Sequence, residues 1–185
     1  MENLIIDEKL YMAPLRMEDA SVIFETINQD RFYLRKWLPF VDYTYAVEDT
    51  KLYIKGVLRK SAYERRDDVF TLWYEGRFAG LIGFRDTDWG NCHTEIGYWL
   101  AEKMQKKGIA VRAAEKMIGF AFKNLNMNRV KIRCGVGNHQ SAAIPKKLGF
   151  TFEGIEREGE KHKSFFIDLE VYSLLKSEWI RKSFF

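Results

Sequence analysis

Between residues 111 and 136 the chain changes its period, and that change restricts the fold more than any other feature. Val111, Ala114, Met117, Ile118, Ala121, Phe122 and Leu125 recur at the spacing of one helical face. Directly afterwards Val130, Ile132, Cys134 and Val136 alternate with Arg129, Lys131 and Arg133, the spacing of a strand with one buried side. A one-sided helix feeding a one-sided strand predicts a mixed α/β fold.

The flanking segments extend this reading. Lys9 to Leu15 reads as a strand, and Ala20, Ile23, Phe24 and Ile27 place a helix after it. Phe32 to Val41 is dense in aromatics and reads as a short helix or loop. Ile54, Val57, Leu58 and Ala62 form a second helical stripe, closed by the charged cluster Glu64 to Asp68. Val69 to Tyr74 and Phe78 to Phe84 flank Glu75-Gly76-Arg77, a hairpin with a short loop. Strands are predicted at Thr94 to Leu100, from Phe150, and where Phe165, Ile167, Leu169 and Val171 alternate. A short helix is predicted near Ser141 to Leu148, and Glu156 to Ser164 reads as a polar connection. The order β-α-α-β-β-β-α-β-α-β-β predicts a largely antiparallel twisted sheet of about six to seven strands with flanking helices. With 185 residues, 46% hydrophobic, and no Pro/Gly/Ser-rich linker, residues 1–185 are expected to form a single domain.

Composition narrows the function classes. No apolar run approaches twenty residues and the first fifteen residues carry no secretory pattern, so a cytoplasmic protein is expected. Cys92 and Cys134 have neither CxxC spacing nor nearby histidine pairs, which argues against a disulfide scaffold or a zinc site. The net charge of +4 is spread along the chain, so no direct nucleic-acid partner is expected. His93, His139 and His162 lack the spacing of a metal site or catalytic relay and are read as polar surface residues.

Chemistry concentrates where strand gives way to helix. Gln105-Lys106-Lys107-Gly108-Ile109-Ala110 has small residues that admit close approach of a ligand to the backbone. The helix start offers unpaired N–H groups and the positive end of its dipole, which together suit a phosphate or pyrophosphate. On the residues alone, the blander reading, an ordinary strand-to-helix loop with solvated lysines, stands ahead of an anion site. The segment has the form Gln/Arg-x-x-Gly-x-Gly/Ala. It is followed by Asn138-x-x-Ser141, by Lys147-Leu148-Gly149-Phe150, and by Asp168-Leu-x-x-Tyr172-Ser173-Leu174-Leu175 with Trp179. In this order and spacing the motifs resemble the GNAT acetyltransferase superfamily, specifically the RimJ/RimL type that acetylates the N-termini of ribosomal proteins.

The resemblance implies a GNAT fold with a splayed parallel strand pair ending near Leu100 and Val136, and acetyl-CoA held in the opening between those strands. It implies that backbone groups of Tyr98, Trp99 and Leu100 lie beside the acetyl and pantetheine portion. The amides of Gln105, Lys106, Lys107, Gly108, Ile109 and Ala110 then take the pyrophosphate, and Asn138 the pantetheine arm. It assigns the acid to Ser141, the base to Glu160 in the loop before the last long strand, and a substrate wall to Trp37, Leu38 and Phe40. No metal is expected, and a homodimer or larger homo-oligomer is implied, consistent with the apolar ending Phe184-Phe185. Two positions depart from the pattern: Lys106 stands where relatives usually have glycine, and Pro145 where many carry a tyrosine acid. A proline there also threatens to distort the short helix.

The residues alone leave alternatives open. Ser141 serves equally as a helix-cap hydroxyl, Glu160 as part of a solvated charged run, and Trp37, Leu38 and Phe40 as ordinary packing. Cys134 reads as core, with an acyl-cysteine route still open. A protein α-amine titrates at about 7.7 to 8.0 and is partly neutral at pH 7, so it asks less of a base than a lysine does. The leading expectation is therefore direct acetyl transfer in a ternary complex to a protein N-terminus. A polyamine or aminoglycoside acceptor and a non-catalytic acyl-CoA-binding module are the alternatives. Glu153, Glu156, Glu158 and Glu160 suit any cationic acceptor and do not discriminate.

Overall fold

The computed structural model describes residues 2–63 and 68–182. Most of the charged cluster beginning at Glu64, and Phe184-Phe185, lie outside the described residues.

The described residues form eight strands and six helices. In chain order these are β1 (Leu4–Ile5), β2 (Leu10–Pro14), α1 (Ala20–Gln29), α2 (Arg31–Leu34), α3 (Val47–Tyr63), β3 (Val69–Tyr74), β4 (Arg77–Asp88), β5 (His93–Leu100), α4 (Ile109–Lys123), β6 (Arg129–Gly135), α5 (His139–Leu148), β7 (Thr151–His162), β8 (Phe165–Leu175) and α6 (Lys176–Lys182). The strands make one sheet in the order β1-β2-β3-β4-β5-β6-β8-β7. The mixed α/β expectation holds, with eight strands rather than six or seven. The extra strand, β1, has two residues, and α2 is one turn long, so neither is long enough to show a period. The seven-residue α6 was likewise not foreseen.

The chain divides into two compact units, Met1–Gly83 with Tyr98–Ala113, and Phe84–Gly97 with Ala114–Phe185. In the first, the helical stripes find their core: Ile23 and Ile27 of α1 and Ile54 of α3 are buried with Leu81 and Trp99. Each such side chain contributes about 1.5–3 kcal/mol by leaving water. Phe78 meets Trp99 edge-on, with ring centroids 6.0 Å apart. Tyr74 pairs with Arg77, so the β3–β4 loop is the two residues Glu75 and Gly76, both at positive φ as a type I′ turn requires. In the second unit, Met117 and Phe122 of α4 are fully buried together with Val130 of β6. Phe120 stacks on Phe84 and Phe122 packs on Trp179.

β5 and β6 are parallel, the pairing expected of the splayed strands. Their register covers His93–Glu95 against Arg129–Lys131, although β5 runs on to Leu100 and β6 to Gly135. Among the described residues the ladder therefore ends well short of both strand ends.

Four local expectations are corrected. The polar segment from Glu156 is strand: β7 runs to His162, with a register shift between Glu156 and Glu160. Val136 lies beyond the end of β6 and is exposed. Phe165, expected on the buried side of the last strand, is 56% exposed. Among the described residues the register of β6 with β8 ends at Gly135–Leu169, with Val136 N–H donating to Asp168 O just beyond, while Phe165–Ile167 pair with β7. Finally, α5 continues through Pro145, which is buried, and its last turn is closed by Gly149 N–H and Phe150 N–H donating to the Pro145 carbonyl.

Candidate active site

The last residues of β5 are held against β4 at very short range. Ala101 N–H donates to Ala79 O at 2.9 Å, and Trp99 O lies 2.0 Å from where a side chain on Gly80 would begin. Gly80 has φ of +149°, a conformation that residues with a Cβ avoid. The Trp99 side chain is buried in the core, while Tyr98 and Leu100 are half-buried, so Trp99 reaches a ligand only through its main chain.

The loop after β5 then prepares the start of α4. Met104 N–H and Gln105 N–H close a 3₁₀ turn on Ala101 O and Glu102 O. Gln105 thus anchors the loop instead of offering its amide. Lys106 and Gly108 both have positive φ, +59° and +70°. Lysine occupies a left-handed position that favours glycine, the position where the resemblance expects glycine. Lys106→Gly should therefore raise stability by about 0.5–1 kcal/mol, and Lys106→Val should lower it, as read by chemical denaturation. Arg112 N–H makes the first helical bond, to Gly108 O, leaving the amides of Ile109, Ala110 and Val111 without a carbonyl one turn earlier. The side chains of Ile109 and Ala110 are buried. What this end of α4 presents is main-chain N–H and the positive end of the helix dipole. The Arg112 side chain, which was not singled out from the sequence, lies on this loop as well, donating to Lys107 O and Gly108 O.

In the second unit, Asn138 caps α5: its Oδ1 accepts from Ser141 N–H at 3.2 Å. The capping hydroxyl alternative for Ser141 is thus overturned, because Asn138 is the cap. The Ser141 hydroxyl hydrogen-bonds the Cys134 thiol, and burial pushes that thiol up to about 11, with the Glu170 carboxylate adding to the shift. At pH 7 only about one Cys134 in ten thousand is a thiolate, which makes it a poor nucleophile.

The acidic residues of β7 differ in what they face. Glu153 pairs with Arg129 and accepts from Ser173, and Glu156 meets Arg133 at 3.1 Å. Glu158 lies within the register shift, its N–H bonded to Asp168. Glu160, placed in a strand and not a loop, lies 3.1 Å from His162 Nε2, with its side chain 28% exposed. His162, read as a surface residue, is only 5% exposed and stacks on Phe165. Glu160 is thus a carboxylate with an imidazole neighbour and a path to solvent. The buried Glu95 is a different kind of acid. Its oxygens meet Arg133 Nε at 2.6 Å and Arg85 Nε at 3.3 Å, and burial pushes its carboxyl up against the pull of both arginines. It stands at the last registered residue of β5 and anchors the end of the ladder.

Of the predicted substrate wall, Leu38 packs on the core of the first unit, Trp37 is half-buried and Phe40 is exposed. Arg31 fixes the turn that follows by donating to Val41 O and Thr44 O. No cluster of three metal-ligating side chains occurs among the described residues. No helix among them is long and apolar enough to cross a membrane.

The chain is similar to known acetyltransferases in sequence and in fold. The putative ribosomal N-acetyltransferase YdaF of Bacillus subtilis (strain 168) is 35% identical, covering 94% of this chain and 95% of its own. The spermidine N(1)-acetyltransferase of Escherichia coli (strain K12) is 28% identical over 77% of this chain and 73% of its own. A crystal structure described as a probable acetyltransferase superposes with a TM-score of 0.88 at 35% identity, covering 96% of this chain and 98% of that one. The acetyltransferase (GNAT) domain family matches residues 9–151, and the chain therefore belongs to the GNAT acetyltransferases, enzymes that transfer an acetyl group from acetyl-CoA.

Proposed function

We propose that this enzyme acetylates the α-amine of a protein N-terminus, most plainly that of a ribosomal protein, in the cytoplasm, and that residues 1–185 act as one catalytic domain. The observation that carries this reading is the 35% identity, over nearly the whole chain, to a putative ribosomal N-acetyltransferase.

The chemistry has three demands: a neutral amine, a polarised thioester carbonyl, and a proton for the departing sulfur. In our reading the amides of Lys106 to Ala110 hold the diphosphate of acetyl-CoA, and main-chain groups of Tyr98 to Leu100 lie along the acetyl and pantetheine portion. Asn138 contacts the pantetheine arm. The neutral amine nitrogen attacks the thioester carbon, Glu160 accepts the proton that the nitrogen sheds as the carbon–nitrogen bond forms, directly or through water, and Leu100 N–H stabilises the developing oxyanion. Collapse breaks the carbon–sulfur bond, and the sulfur receives its proton from Ser141, whose oxygen takes a replacement proton from solvent. Trp37, Leu38 and Phe40 border the acceptor. The raised thiol of Cys134 supports direct transfer in a ternary complex over an acyl-cysteine intermediate.

The likeness to a spermidine acetyltransferase favours a second reading, a small polyamine as acceptor. Arg129 and Arg133 neutralise Glu153 and Glu156, which leaves less negative charge for a polycation than the sequence suggests. A panel of N-terminal peptides, spermidine and an aminoglycoside, each with acetyl-CoA, decides between them. We expect kcat/KM for at least one peptide to exceed that for spermidine by about tenfold or more. Rapid acetylation of spermidine with every peptide inert would overturn the N-terminal reading.

A further inference from the structure

Arg112 carries no motif of its own, yet its guanidinium makes two contacts to the loop before α4 and a third to Asp7. Nε donates to Gly108 O at 3.3 Å, Nη2 donates to Lys107 O at 3.2 Å, and Nη1 is ion-paired with Asp7 Oδ2. Asp7 in turn is set by its own tight turn between β1 and β2. Its Oδ1 accepts from Lys9 N–H at 2.9 Å and from Leu10 N–H at 3.0 Å, which leaves Oδ2 aimed at Arg112. The Arg112 guanidinium and the Lys107 ammonium both lie over the Tyr74 ring, 5.8 Å and 5.3 Å from its centroid. Those turn amides, the Lys9 N–H foremost, together with Arg112, hold the Asp7 carboxyl below the usual carboxylate range.

A trans peptide points its carbonyl and the next residue's N–H in opposite directions. Drawing the carbonyls of Lys107 and Gly108 onto Arg112 therefore turns the N–H groups of Gly108 and Ile109 the other way. We infer that Asp7 and Arg112 are positioning residues which fix the loop so that these amides are presented to the diphosphate of acetyl-CoA before it binds. This rests on the reading of that loop as the diphosphate site. Such preorganisation removes an ordering cost from binding and leaves the chemical step alone.

Direct anion binding by Arg112 makes the opposite prediction for Asp7. If Arg112 gripped the diphosphate itself, removing its carboxylate partner would tighten binding; if the pair positions amides, removing it weakens binding. The test is steady-state kinetics of wild type, Asp7→Asn, Arg112→Gln and Arg112→Lys with two donors, acetyl-CoA and S-acetylpantetheine, which carries the same thioester without the diphosphate. We expect KM for acetyl-CoA to rise about tenfold in Asp7→Asn and Arg112→Gln, kcat to stay constant, and the constants for S-acetylpantetheine to be unchanged. Arg112→Lys should resemble Arg112→Gln, because one ammonium cannot reproduce the forked contact to two carbonyls and a carboxylate. An unchanged or lowered KM in Asp7→Asn would overturn the inference, as would equal losses with both donors, which would mark general damage to the fold. Equal use of the two donors by wild type would instead overturn the diphosphate-loop reading, and the inference with it.

Discussion

Glu160→Gln is expected to lower kcat by about a hundredfold or more and to leave acetyl-CoA binding at its wild-type strength. The substitution keeps the shape of the side chain and a hydrogen-bonding group 3.1 Å from His162, so the surrounding β7–β8 hairpin loses little. What disappears is the capacity to accept a proton. An α-amine attacking a thioester must shed one proton as the carbon–nitrogen bond forms, and that demand peaks in the transition state. An interaction made only there lowers kcat and kcat/KM together. Raising the pH should rescue part of the loss, because hydroxide then accepts more of the proton that Glu160 no longer takes. Turnover and a pH profile equal to wild type would withdraw the assignment of Glu160 and leave the proton to solvent.

Gly80→Ala is expected to cost about 3 kcal/mol or more, a fall of roughly 10 °C in Tm for a chain of this size, measured by thermal or denaturant unfolding. Two penalties combine. The new Cβ would stand 2.0 Å from Trp99 O and 2.9 Å from the Leu100 Cα, both main-chain atoms that cannot rotate away. The residue would also be held at φ +149°. Relief requires β5 to shift at Trp99–Leu100, the segment assigned to the reacting carbonyl. A surviving fraction of folded protein should therefore show lower kcat as well. A stability loss under 1 kcal/mol would contradict the close approach of β4 to β5.

Some of this was legible in the chain and some was not, for identifiable reasons. The α4 stripe and the β6 alternation were readable because each element buries one side against a single core. The β3–β4 hairpin was readable because Glu75-Gly76 matches the turn its strands need. β7 was hidden because it is the last strand of the sheet and exposed along most of its length, so its charged residues carry no alternation. His162 could not be foreseen as buried, since what covers it includes the Phe165 ring in the adjoining strand. In the candidate site, the small residues at the start of α4 were visible, as was Asn138 ahead of a short helix. The Asp7–Arg112 pair was not, because 105 residues separate the partners and no local pattern joins them. Gly80 gave no signal either: its role depends on the Trp99 main chain, which lies on another strand.

In the function proposed above, an acetyl group passes directly from CoA to an N-terminal nitrogen. Tandem mass spectrometry of an N-terminal ribosomal-protein peptide containing an internal lysine, after incubation with acetyl-CoA and enzyme, measures this most directly when the enzyme is analysed alongside. One acetyl group is expected, on the α-amine of the peptide, and none on the enzyme during turnover. Acetyl found on the lysine side chain with the α-amine unmodified, or carried on Cys134 before the peptide is added, would contradict it.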